Sequence, residues 1–157
     1  IKSLETDYRI EVKIGQKKIE LDINFSQKTT DLNTIETIKN FLENIEEMDK
    51  GNRINYNKDF FSREGETKSY AEFYLEESFE EELKDLIDLN QSSENQQIEL
   101  INKLELIRIG IYPNQKKEGG HFGVFDYSIR IDNEYCNQLL VVITDDKGKL
   151  DHITWES

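Results

Sequence analysis

The apolar residues of this chain change period twice, and that change constrains the fold more than any other feature. In "YRIEVKIGQKKIELDINF", residues 8–25, Tyr8, Ile10, Val12 and Ile14 alternate with polar residues. Ile19, Leu21, Ile23 and Phe25 do the same. A period of two sends one set of side chains to one face of a strand. "GQK" between the runs supplies a turn glycine, so the spacing predicts a hairpin.

The period then lengthens. Across residues 30–51, Leu32, Ile35, Ile38, Leu42, Ile45 and Met48 recur every three or four positions. This predicts an amphipathic helix with Asp31 as N-cap and Gly51 as C-terminal stop. Residues 52–68 are rich in Asn and turn formers, and read as a loop with at most a short helix, anchored by Phe60 and Phe61. Residues 69–90 read as a second helix, in which Ser69 and Glu72 are spaced as a capping box. Phe73, Leu75, Phe79, Leu83, Leu86 and Ile87 form its apolar side. A third helix is expected from Ser93, with Gln96 as its box partner and Ile98, Ile101 and Leu104 inward.

The period of two then returns. "LELIRIGIY" (104–112) is a strand closed by Pro113, and 114–120 is a loop. "FGVFDYSIRI" (122–131) places Phe125, Tyr127, Ile129 and Ile131 on one face. "NQLLVVITD" (137–145) has five consecutive apolar residues at its centre, which suits a strand buried on both faces. "DDKG" is a tight turn with Gly148 at the position of positive φ, and "KLDHITW" is the returning strand. Segregated helices and antiparallel strands imply an α+β fold in a single domain, residues 1–157. The expected architecture is one mostly antiparallel sheet, an N-terminal hairpin plus a C-terminal four-stranded meander, with about three helices on one face.

Charge narrows the function. Of 157 residues, 33 are acidic and 20 basic, a net charge of −13. This disfavours nucleic acid and anionic membrane surfaces as partners and favours a basic protein. No apolar run approaches the roughly 18 residues of a membrane helix. A single cysteine, Cys136, rules out an internal disulfide or a cysteine-based zinc cluster, fits a cytoplasmic setting, and reads as a small hydrophobe beside a strand. No signal-like leader is read, and a start at Ile1 is compatible with a removed leader or tag.

The imbalance is concentrated in "YLEESFEEELKDLID", 74–88, with seven acids against Lys84 alone. Like charges three or four apart cost a helix a few tenths of a kcal/mol each. A merely solvated face does not need them, so beside that plain reading the segment also reads as a docking surface for a basic protein. Glu76, Glu77, Glu80, Glu81 and Asp85 would steer a basic partner, with Tyr70 and Tyr74 as aromatic anchors.

Phosphate loops, serine elbows and histidine metalloprotease motifs are absent. The remaining candidates for chemistry are Asp126, His121 and His152. Strict alternation in the last strand puts Leu150, His152 and Thr154 on one face and Asp151 on the other, which argues against an acid–histidine dyad. Asp126 lies between aromatics on an interior strand, so an arginine partner, Arg108 or Arg130, is expected.

The motifs "LIRIGIYP", "FGVFDYSI" and "LLVVITDDKGKLDHITWES" resemble a family of small uncharacterised bacterial domains catalogued as a domain of unknown function. That family has no established reaction, so the resemblance implies no catalytic residues. In size, charge and layout the chain also resembles immunity proteins of bacterial toxin systems. The resulting expectation is a non-enzymatic module, without cofactor or metal, that blocks a basic partner such as a toxin domain. A small hydrolase or metal-dependent enzyme using Asp126 and His121/His152 is the alternative, and a dimeric scaffold or regulatory domain the third.

Overall fold

The computed structural model describes residues 5–28, 30–114 and 121–157. The loop expected at 114–120 therefore lies almost wholly outside the described residues. Strands β1 (Asp7–Ile14) and β2 (Lys17–Asn24) form the expected hairpin, turning at Gly15, whose φ is +59°.

Five helices follow among the described residues, where about three were expected. α1 (Leu32–Glu43) is capped by Asp31, whose carboxylate accepts the Thr34 N–H at 2.7 Å. It does not run on to Gly51. The chain breaks at Asn44, whose N–H turns back to the Phe41 carbonyl, and α2 (Ile45–Phe60) begins at once. Gly51 lies inside α2, at a cost near 1 kcal/mol relative to alanine. Tertiary burial outweighs that cost: Ile45, Met48, Asn52, Tyr56 and Phe60 are buried at helical spacing. The stretch 52–60 is thus helix rather than loop. Phe60 is buried as expected, whereas Phe61 is 67% exposed.

The second expected helix is also shorter than its pattern. α3 (Glu66–Glu77) starts before Ser69, whose hydroxyl instead bonds back to the Gly65 carbonyl. The first-turn N–H of Thr67 is satisfied by Asp59 of α2, at 2.8 Å. Gly65 permits this approach, since a Cβ there would lie 1.9 Å from the Asp59 carbonyl oxygen. Ser78 is extended (ψ 145°), and only one short turn, α4 (Glu80–Leu83), follows. α5 (Ser93–Asn102) is capped by the Ser92 hydroxyl, and the Gln96 amide reaches the Leu89 and Gln91 carbonyls rather than the helix start.

Six strands form one sheet, ordered β1-β2-β3-β4-β7-β8, with β3 at Glu105–Ile111, β4 at Gly123–Ser128, β7 at Leu139–Thr144 and β8 at Leu150–Glu156. β3-β4-β7-β8 is the expected antiparallel meander. The hairpin joins it through a parallel pair, β2 with β3, because the helical segment between them acts as the crossover a parallel pairing needs. The expected strand 122–131 stops at Ser128. Beyond it β5 (Arg130–Ile131) and β6 (Glu134–Tyr135) make a separate ribbon, turning through Asp132 and Asn133 at φ 49° and 68°.

Residues paired across the sheet share a face. Leu21, Ile109, Phe125, Val142 and Ile153 form one row, all at most 8% exposed, on the side that carries the helices. Trp155 pairs with Leu140 on that side and packs on Phe73 of α3, ring centroids 4.9 Å apart. The other face carries Glu20, Arg108, Asp126, Val141 and Thr154 in one row, and Asp22, Gly110, Val124, Ile143 and His152 in the next. Among the described residues no helix is long and apolar enough to cross a membrane.

Candidate functional site

Three groups of residues stand out from the folding core. The first is the acidic segment. It is not one charged helix face, because the break at Ser78–Phe79 divides it between the end of α3, the single turn of α4 and the irregular chain beyond. Glu76, Glu77, Glu80, Glu81 and Asp85 are all exposed. Lys84 is engaged by Glu81 at 2.5 Å. Tyr70 and Tyr74, expected as anchors, are 0% and 2% exposed. The Tyr70 hydroxyl donates to the Gln138 carbonyl, and the Tyr74 hydroxyl meets the Cys136 thiol at 3.0 Å. Burial pushes both phenols well above their usual range. They hold α3 on the sheet and ribbon and are not available to a partner. The exposed aromatic is Phe79, 76% accessible, although its spacing suggested the apolar side. The kink that ends α3 turns it outward. Beside it a cleft of about 220 Å³ is lined by Glu77, Ser78, Glu82, Ile131 and Cys136 among others.

The second group lies on the face of the sheet away from the helices. Arg108 binds Asp22 through both Nε (2.6 Å) and Nη2 (2.8 Å), and Asp126 through Nη1 (2.9 Å). The Tyr112 hydroxyl accepts a further hydrogen bond from Nη2 at 3.1 Å. Burial opposes the guanidinium charge, but these hydrogen bonds hold its pKa above the ordinary value. Asp126 is raised, chiefly by burial. Arg108 offsets part of this, while the charges of Glu156 and Asp22 add to it. One arginine between two nearly buried carboxylates is a structural clamp across β2, β3 and β4. Of the two expected partners of Asp126, Arg108 is the one found. Arg130 instead bonds the Tyr135 hydroxyl.

The third group is formed by a β-bulge. Ile143 pairs with His152 but Thr144 pairs with Leu150, leaving Asp151 as an extra residue. Strict alternation would have set Asp151 opposite His152. The bulge instead brings the Asp151 carboxylate 2.5 Å from His152 Nδ1 and 3.4 Å from His121 Nδ1. The two imidazole rings lie 4.8 Å apart at 71°. The hydrogen bond from His152, with the charge of His121, holds the Asp151 carboxyl below its usual range. Asp126 is not part of this group. β7 separates its strand from β8, a lateral distance of roughly 10 Å, and its carboxylate is taken by Arg108.

The histidines were visible in the sequence, but their convergence with Asp151 was not. The signal was present in the spacing of the inward residues: Leu150 and Ile153 are three apart, Ile153 and Trp155 two apart. An odd step followed by an even one marks an inserted residue. Comparison with protein-family models, with curated proteins and with solved structures finds no match for this chain.

Proposed function

We infer that this chain is a protein-binding module that neutralises a basic partner by occlusion, in the manner of immunity proteins that block bacterial toxins. Phe79 carries the reading. The Phe79 backbone caps α4, but its ring, 76% exposed in a segment rich in carboxylates, has the make-up of an anchor within a charged rim. Glu76, Glu77, Glu80, Glu81 and Asp85 supply a field that would speed encounter with a cationic surface about ten- to a thousandfold at low salt. Phe79 then enters an apolar pocket on the partner, and the folded body covers the partner's own site. The burial of Tyr70 and Tyr74 supports this division of labour, since they fasten α3, the helix that leads into Phe79, to the sheet and ribbon.

The test begins with affinity capture from the source cells and continues with the purified binder. Replacing Glu76, Glu77, Glu80 and Glu81 by lysine should slow association by at least about tenfold at low salt and flatten its dependence on NaCl. Phe79→Ala should instead speed dissociation. A binder whose kinetics neither variant alters would place the docking face elsewhere.

A further inference from the structure

We propose that His121, Asp151 and His152 form a binding site for a single Zn2+ ion. The donor set is two imidazoles and one carboxylate, whose ligand atoms all lie within 4.8 Å of one another. Zinc takes such nitrogen and oxygen donors at about 2.0–2.2 Å, which in a tetrahedron sets ligand atoms roughly 3.3 Å apart. The observed Nδ1–Oδ2 separations, 2.5 and 3.4 Å, fall either side of that spacing. Those two pairs need only small changes to reach it, and the remaining separation, at most 4.8 Å, must close by side-chain rotation.

The backbone supports the site. The Phe122 N–H donates to the Thr144 carbonyl, and the Tyr112 N–H to the Phe122 carbonyl, which pins the residue after His121 between β7 and β3. The other two ligands come from the bulge in β8, held on the opposite edge of the same β7. A bulge is the device by which a strand presents two successive side chains to one side. Here it costs a ladder position at an edge strand, and its visible product is the meeting of Asp151 with the histidines. Imidazole donors favour zinc, copper and nickel over magnesium or calcium. The three side chains are 35–51% exposed, so the ion has direct access, and the fourth position is left to water.

Zn2+ alone is the probe, titrated calorimetrically into the full chain after chelator treatment. One ion per chain is expected, with affinity at least about tenfold weaker in His121→Ala/His152→Ala and weaker also in Asp151→Asn. Co2+ substituted in the wild type should give the intense visible bands of tetrahedral coordination, and those bands should vanish in the double variant. Because His152 is exposed and His121 partly so, far-UV circular dichroism of the metal-free variants should match the wild type. If a variant misfolds, the imidazole 15N signals of the wild type decide: both histidines must shift on zinc addition. Equal affinity and stoichiometry in wild type and double variant, or histidine signals that do not move, would overturn the site. Either result leaves the acidic docking surface untouched, since that surface is tested by partner kinetics.

Discussion

Replacing Arg108 by methionine removes the positive charge that Asp22 and Asp126 share, and leaves two carboxylates, 5% and 6% exposed, without it. Breaking a buried pair from one side costs about 3–5 kcal/mol, because the surviving charge stays desolvated. The Arg108 side chain is itself 29% exposed, which points to the lower end, about 3 kcal/mol. For a chain of this length that is a fall of about 6–12 °C in melting temperature. The loss should depend on pH, with a definite sign. The Asp126 pKa is already raised in the fold, and Arg108 is the influence holding it down. Without Arg108 it rises further above the unfolded value of about 3.9. Between those two values the native state binds more protons than the unfolded chain, so stability falls as pH rises through that window. The deficit of the variant should therefore be full at pH 7.5 and smaller at pH 5. Urea unfolding followed by circular dichroism measures it at both. Adding Asp22→Asn and Asp126→Asn to Arg108→Met should recover most of the stability, since no unpaired charge remains. A deficit under about 1 kcal/mol at pH 7.5, or one equal at the two pH values, would refute the argument from charge.

Three further outcomes follow from the packing. Phe73→Ala should cost about 2–4 kcal/mol and shift the emission of Trp155 to the red, because that ring pair docks α3 on β8; fluorescence-detected unfolding reads both. Gly148→Ala should destabilise by about 1–3 kcal/mol, since φ there is +78° and the new Cβ would sit 2.5 Å from Met48 Cγ; a thermal melt checks it. Burial raises the phenols of Tyr56, Tyr70, Tyr74 and Tyr127. Their native form resists ionisation, so stability should fall as pH rises above the unfolded value of about 10. Their phenolate absorbance should appear together with loss of far-UV ellipticity, not before it.

Much of the sheet was legible because strand patterning is local. The alternation in residues 8–25 and the apolar run at 139–143 identified strands, and the short Gly148 turn joined the last two. The helices were less legible at their ends. The inward positions Met48, Asn52, Tyr56 and Phe60 continue one stripe through Gly51, but an asparagine and a glycine hid it. Helix propensity is worth at most about 1 kcal/mol per residue, and the packing of Tyr56 and Phe60 exceeds that. The opposite error occurred at Phe79, where spacing suggested burial and the break after Glu77 turned the ring into solvent.

The sequence alone determined the two periods, and with them the α+β class, the antiparallel meander and the acidic character of the middle third. These follow from which side chains can be buried on a strand or a helix and which must stay in water. Only the tertiary structure decided that β2 meets β3 in parallel, that Arg108 chooses Asp22 and Asp126, and that Asp151 joins His121 and His152. Each depends on strand register between segments distant in the chain. Register is set by the whole core packing at once, and one extra residue at the bulge brought Asp151 to the two histidines that alternation had kept from it.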